Sequence, residues 1–445
     1  MKKLKLITAG IICAQLTLIL SGCGGGKTGS DLTEVKVWSV DRANKAYMDN
    51  IVAEYNKNQG IKDGIKISYE VKEGDNFLQQ IELALQSNQA PDIFPCSGSI
   101  PKFAENGYLE AFEDLPGGKE LIEAKANKIM GVASLVKHNG KTYALPGNGM
   151  MVQGLIYNKD MFKAAGLVDE KGEAKPPVTL KEFREYAKKL TNESKNEFGV
   201  IFPMKWSGWY GSDIDDLAMS SYGRTCYDPL TGTYDMSIYK EIWETFLGIK
   251  EDKSCFPGAE GMDNDPARAR FAEGGIGMKI SYAFDVGVLN DQFPAKCDWG
   301  VAPLPVADKD NCYKQYAYTG IASSINKKSV EKIGAEKIMK VYNELYRQEV
   351  TDNYNKLSEN KKGYKEFAAL QEISQVAPAV MPVELSGNKS TADLFVDEVW
   401  TGKISVDDAL AKQTKILNDG IKKYKELNPD VDTSLYILDN WDIKR

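Results

Sequence analysis

The 445-residue chain has a single histidine, His138. A serine or cysteine nucleophile that needs an imidazole base would therefore have to use this one ring. His138 precedes Asn139-Gly140 between two short apolar stretches, which is a strong hairpin signal, so it reads as an exposed turn residue. No Cys-x-x-Cys pair occurs, and with one histidine the usual zinc ligand sets are missing, so no metal or cofactor is expected. An excess of positive charge is also lacking. Lys and Arg number 56 against 63 Asp and Glu, for a formal net charge of -7. That balance argues against nucleic acid or an anionic lipid surface as the main partner. Beyond residue 30 there is no internal repeat, no low-complexity tract and no apolar run long enough to span a bilayer.

The one sustained apolar run lies at the start. Lys2, Lys3 and Lys5 precede an apolar segment over 6–20, and Leu20-Ser21-Gly22-Cys23 follows. Basic, apolar and small-residue segments in that order predict a secretory signal over residues 1–22. Cys23 directly after Leu-Ser-Gly resembles a bacterial lipobox, which implies cleavage before Cys23 and lipid on its thiol. Acyl chains stabilise such an anchor by roughly 0.8 kcal/mol per buried methylene. Residues 24–30 offer no apolar side chain to bury, and so form a flexible tether spanning roughly 15 Å on average. The expected location is the outer side of the cell membrane or the periplasm. Cleavage removes three lysines and no acids, taking the charge from -7 to -10.

The remaining body, 31–445, is long enough for two lobes and holds enough apolar residues for a large core. Five cysteines stay in it: Cys96, Cys226, Cys255, Cys297 and Cys312. Five is odd, so one thiol at least is unpaired, and Cys297 with Cys312 is one candidate disulfide. Residues 34–40 read as a strand. Asp41 is placed to cap a helix repeating Tyr47, Ile51 and Tyr55. Ile65, Ile67, Tyr69 and Val71 alternate as a second strand. Phe77, Leu78, Ile81 and Leu85 mark another helix, and 91–94 a short buried strand. This is the rhythm of an α/β fold with parallel strands and covering helices. Further on, 154–158 and 198–202 read as strands, and 208–222, 238–247 and 330–346 as helices. Thr179 with Glu182 and Ser405 with Asp408 predict capped helix starts.

Most chemical motifs are weak. Asp263-Asn264-Asp265 lacks the glycine and distal glutamate of a calcium loop. Gly274, Gly275 and Gly277 do not open a helix after a strand, as a phosphate loop would. Paired carboxylates of a hydrolase stay open, since 63 acids offer many pairs. The aromatic clusters are more specific. Trp206-Ser207-Gly208-Trp209-Tyr210 places three rings in five residues after a strand, and Tyr282, Phe284 and Asp285 combine rings with a carboxylate. Trp38 ends the first strand, and Ser97 and Ser99 follow the third. Ligands of open α/β sheets sit beyond the carboxyl ends of strands. Sugars suit such sites, because C–H faces stack on rings while hydroxyls bond to polar groups.

The ordered set of motifs resembles the family 1 extracellular solute-binding proteins of ABC importers. The motifs are Ala90-Pro91-Asp92-Ile93-Phe94, Phe103 through Leu109, Gly140 through Pro146, Leu155 through Phe162, Ala165-Gly166-Leu167, Pro177-Val178-Thr179, Phe271-Ala272-Glu273-Gly274 with Gly277-Met278, and Gly402-Lys403 through Ala409-Leu410. The resemblance implies a two-lobed periplasmic-binding-protein-like fold, each lobe a mostly parallel sheet flanked by helices, with the ligand in the interlobe cleft. Lobe one would be 31–145 with 303–372, and lobe two 146–302 with 373–445. It implies a sugar or oligosaccharide cargo, delivery to a permease with its ATPase, and no catalysis. By position it puts the cargo on 95–99, 148–151, 206–210 and 282–285. That adds Asn148 and Met151 to Trp38, Ser97, Ser99, Trp206, Trp209, Tyr210, Tyr282, Phe284 and Asp285. Gly98 and Ser99 stand where an acidic–basic pair is common, and Phe284 where tryptophan is common. A surface-anchored carbohydrate-active enzyme and a binder of peptides, polyamines or anions are the competing classes. The cargo stretches contain no arginine, which disfavours anions.

Overall fold

The computed structural model describes residues 32–442, apart from 43, 73–75, 97–98, 127–135, 322, 373, 377, 379, 385–389, 430, 432 and 434–435. The signal segment, Cys23 and the tether lie outside the described residues, as does Ser97.

The first lobe forms on a five-stranded sheet in the order Ile65–Val71, Thr33–Ser39, Ile93–Phe94, Ser324–Asn326, Leu109–Glu110. The first three strands are parallel, as expected of strand-helix-strand repeats. Ser324–Asn326 returns antiparallel to both its neighbours. Val35 and Val37 are buried while Glu34 and Lys36 are exposed, the alternation that a pleat imposes. The helix Phe77–Gln86 buries Phe77, Ile81 and Leu85 at helical spacing and leaves Leu78 exposed. Asp92 ties three elements together. Its carboxylate accepts from the Lys36 amide at 2.6 Å and from the Ser329 hydroxyl at 2.5 Å, and its carbonyl accepts from the Asn326 amide at 2.9 Å. An acid in this apolar strand is thus fully partnered. Asp41 does not cap the next helix, which starts at Lys45. It accepts instead from the Asn44 amide at 3.1 Å within the loop. The helix expected over 330–346 is two helices, Lys327–Ile333 and Ala335–Tyr346, broken at Gly334 with φ +97°.

The second lobe is organised by one long strand, Pro146–Asn158. Sheet order is Gln375–Val376, Tyr316–Ile321, Pro146–Asn158, Ile276–Tyr282, Phe198–Val200, with Trp299–Ala302 also paired to the long strand. The long strand runs antiparallel to all three of its neighbours, so this sheet is mixed and not mostly parallel. Among the described residues two of its strand pairings are parallel: Ile276–Tyr282 with Phe198–Val200, and Tyr316–Ile321 with Gln375–Val376. Leu155 and Tyr157 face one apolar core, and Val152 and Ile156 the other. Both faces are covered, so hydropathy alone does not reveal strand direction.

The expected lobe boundaries shift for the same reason. Residues 303–321 belong to the second lobe: Leu304 and Val306 enter its core, the Leu180 amide donates to the Val306 carbonyl at 2.9 Å, and Tyr316–Ile321 pairs with the long strand. The helix Tyr364–Glu372 also packs there through Phe367 and Leu370. The helix Gln348–Ser358 joins the lobes, with the Tyr47 hydroxyl donating to the Val350 carbonyl at 3.0 Å and the Tyr47 and Tyr354 rings 5.4 Å apart. All five body cysteines are unpaired, so the candidate bridge between Cys297 and Cys312 is not formed. No helix among the described residues is long and apolar enough to cross a membrane.

Candidate functional site

Two strands of the second lobe deliver the aromatic stretches to one place. Ile276 pairs with Phe198 and Met278 with Val200 in parallel, so both strands end at the same sheet edge. After Phe198–Val200 the chain turns. The Trp206 amide donates to the Pro203 carbonyl at 3.0 Å, and the Trp209 amide to the Trp206 carbonyl at 2.9 Å. Gly208 permits this turn, since a Cβ there would sit 2.4 Å from the Trp206 ring. After Ile276–Tyr282 the Ala283 amide donates to the Val152 carbonyl at 2.9 Å, which fixes the second turn.

The result is a three-ring patch. Trp206 meets Tyr282 edge-on at 6.2 Å, and Tyr282 stacks on Phe284 at 5.0 Å. All three rings are partly exposed. The structure therefore brings together Trp206, Tyr282 and Phe284 from stretches more than seventy residues apart.

Trp209 and Tyr210 do not belong to that surface. Trp209 is 1% exposed and packs on Phe395 at 5.7 Å, and Tyr210 is 8% exposed and packs on Tyr239 at 5.9 Å. The expectation that all three rings of 206–210 line the cleft is corrected, because the turn at Gly208 sends the later two into the core. Asp285 is also buried, ion-paired with Arg268 at 2.5 Å, and is not offered to solvent as a hydroxyl acceptor. Met151 is half-buried on the long strand, opposite Tyr318. Asn148 lies on that strand too, but its side chain is outside the described residues. In the first lobe, Trp38 is half-buried at the end of its strand, with Phe77 edge-on at 6.4 Å and the Lys72 ammonium 4.3 Å from its ring centre. Ser99 precedes the helix Ile100–Glu105. Its amide donates to the Cys96 carbonyl at 3.1 Å, and its side chain makes no cap bond.

Five buried or partly buried residues behind the patch are not marked by the sequence pattern. Gln153 stands opposite Tyr282 in the strand register and is fully buried. Lys279 is buried mid-strand, and its ammonium donates to the Ile280 carbonyl at 2.9 Å and the Ser281 hydroxyl at 3.3 Å. Burial pulls its pKa down, while the nearby carboxylates of Asp285 and Asp213 push it back up. Asp213 lies in a wide helical turn, Gly211–Asp215, directly after the Trp206 loop. Burial pushes its carboxyl up to about 7, against the Lys279 charge and the Ser212 hydroxyl, which donates at 2.7 Å. Asp215 is likewise pushed up to about 6 by burial, held lower only by the Tyr239 hydroxyl at 2.5 Å. Arg268, on the helix Asn264–Ala272, completes the set through Asp285 and through Asp265 at 2.7 Å. Nothing in Ala-Arg-Ala-Arg marked it, because its partner is remote in sequence.

His138 sits on the predicted hairpin, Lys137–His138 with Lys141–Thr142, where Asn139 and Gly140 have φ +47° and +75°. It is mostly covered and not an exposed tip, with its Nε2 3.2 Å from a Glu105 carboxylate oxygen. Asp263 caps the helix Asn264–Ala272 by accepting from the Asn264 amide at 2.7 Å, which is a structural role for the acidic cluster there.

Two α/β lobes, one carrying a ring-lined sheet edge, define a ligand-capturing architecture. Residues 39–344 match the bacterial extracellular solute-binding protein family, and the chain belongs to that family. It is 25% identical over 298 residues to the maltotriose-binding protein of Pyrococcus abyssi (strain GE5 / Orsay), covering 66% of this chain and 56% of that protein. The match thus spans little more than half of that relative's length. It is 24% identical over 319 residues to the sn-glycerol-3-phosphate-binding periplasmic protein UgpB of Brucella abortus (strain 2308), covering 68% of this chain and 67% of that one. The maltose/maltodextrin-binding domain MalE from Bdellovibrio bacteriovorus, bound to maltotriose, shares the fold. Its TM-score is 0.66 at 16% identity, covering 88% of this chain and 100% of that one.

Proposed function

We propose that this solute-binding protein captures a sugar or oligosaccharide outside the cytoplasm and hands it to an ABC permease with its ATPase. The observation that carries the reading is the patch of Trp206, Tyr282 and Phe284 at the carboxyl edge of the second-lobe sheet. Partly exposed rings suit the C–H faces of pyranose units. Trp38, at the equivalent edge of the first lobe, would close on the cargo from the other side. Closing around the sugar excludes water and strengthens each hydrogen bond, and the cargo shifts the population toward the closed form. Cys23, behind its signal-like leader, would hold the protein at the membrane.

An anionic cargo such as a glycerol phosphate fits the patch less well. The arginine beside it already pairs with Asp265 and Asp285. Hydrolysis fits less well too, because Asp213 and Asp285 are buried beneath the rings and do not flank a scissile bond. Calorimetric titration with maltotriose, raffinose, xylo-oligosaccharides and glycerol 3-phosphate tests the reading. Saturable binding of a sugar, recovered unchanged after long incubation, is expected. Binding of glycerol 3-phosphate alone, or multiple turnovers of the sugar, would replace it.

A further inference from the structure

We infer that Arg268 is a positioning residue for the cargo site, setting the plane of Phe284 and the turn that carries it; the inference rests on the sugar-binding reading above. Arg268 lies on the helix Asn264–Ala272, outside both aromatic stretches. Its guanidinium sits 5.3 Å from the centre of the Phe284 ring. One of its terminal nitrogens is 2.5 Å from Asp285, the next residue along the turn, and the other is 2.7 Å from Asp265 on its own helix. The same group therefore lies over the Phe284 ring and within ion-pair distance of both carboxylates. A flat, forked cation spans these three partners at once, which a compact ammonium does not.

The geometry sets up a short relay. Asp265 orients the guanidinium, the guanidinium holds Asp285, and Asp285 begins the helical turn Asp285–Gly287 immediately after Phe284. Phe284 in turn stacks on Tyr282 with an interplanar angle of 21°, and Tyr282 meets Trp206. Arg268 itself is mostly buried, with 12% of its side chain exposed, and its charge is balanced by two carboxylates. It acts on the cargo through the rings and not as a contact of its own. A sugar platform depends on the tilt of its ring, so a small rotation of Phe284 lowers affinity without unfolding the lobe.

The test separates positioning from packing. Arg268→Met alone would leave Asp285 buried without its partner, and destabilisation would obscure the reading. Two other variants avoid this. Arg268→Lys keeps the charge and loses the flat face. The double variant Arg268→Met/Asp285→Asn removes both charges together. Each is titrated with the tightest sugar of the panel above and melted thermally, and Arg268→Lys is also made in a Phe284→Leu background. We expect near-native melting for Arg268→Lys and a modest drop for the double variant, which also takes Asp285 from Lys279, with binding about tenfold weaker for each. In the Phe284→Leu background, Arg268→Lys should cost no more than about twofold, because the ring it positions is gone. Equal affinity in wild type and both variants overturns the inference. So does an undiminished loss in the Phe284→Leu background, or early melting of both variants, which would make Arg268 a packing residue. If the wild type binds no sugar of the panel, the carbohydrate reading falls and this inference with it. If the wild type binds and only the coupling is absent, the inference alone falls.

Discussion

Trp206 and Trp209 are three residues apart and share one turn, yet they live in different regions of the molecule. Trp206 lies in the partly exposed patch with Tyr282 and Phe284. Trp209 lies in the core against Phe395 and Tyr210. The two regions hold the same residue types and differ in what surrounds them. The core rings touch other rings on several sides, while the patch rings are partly exposed. Stability should reside in the first region and affinity in the second.

The largest effect is expected at Trp209. Trp209→Ala opens a cavity in a close-packed core and should cost roughly 3–5 kcal/mol of stability. Chemical denaturation measures it. A loss under about 1 kcal/mol would mean that Trp209 is not the core residue its burial indicates. Next is Trp206→Ala, which should leave the unfolding transition near that of the wild type. Loss of the ring should weaken sugar binding by about 2–3 kcal/mol, or roughly 30- to 150-fold by calorimetry. A Trp206 variant that binds normally would move the cargo off the patch. The same titration applied to Gly208→Ala sharpens the comparison. The added methyl collides with the Trp206 ring, so affinity should fall further than stability.

A pH-dependent effect concerns the acids beneath the patch. Burial holds the Asp213 carboxyl up, at about 7, above its ordinary value of 3.8. Below about pH 4 this residue is protonated in both folded and unfolded chains and costs nothing. As pH rises toward 7 the unfolded carboxyl ionises while the folded one keeps its proton, so folding loses stability across that window. Above about 7 the penalty is constant. Asp215, pushed up to about 6, adds a penalty of the same sign, and Lys279, pulled down by burial, titrates in the opposite sense at higher pH. Asp213→Asn should therefore melt closest to the wild type at pH 4 and gain on it by pH 7.5. A melting difference independent of pH would show that Asp213 is ionised throughout.

Local patterns in the chain were legible because their causes are local. Thr179 accepts from the Glu182 amide at 3.1 Å and Glu182 bonds back to the Thr179 amide, the reciprocal cap that their spacing predicts. Ser405 likewise accepts from the Asp408 amide at 3.2 Å. The strand Ile65–Val71 follows its alternation, and Asn139-Gly140 makes its turn. The motif at Pro91-Asp92-Ile93-Phe94 is legible as a strand, but the role of Asp92 as a knot between Lys36 and Ser329 is not, because those partners are 56 and 237 residues away.

Fold class, family and the two aromatic stretches were thus written in period, spacing and motif order along the chain. The direction of the long strand was not. A strand buried on both faces carries the same apolar run whichever way its neighbours run. Lobe membership of 303–321 followed from that same pairing. Nor could spacing say which rings of 206–210 turn outward, since that depends on a single close approach at Gly208. The meeting of Trp206 with Tyr282, and of Arg268 with Phe284 and Asp285, exists only once two parallel strands end at one edge and a third element packs beneath them. Contacts of that kind are long-range, and only the packed chain selects them.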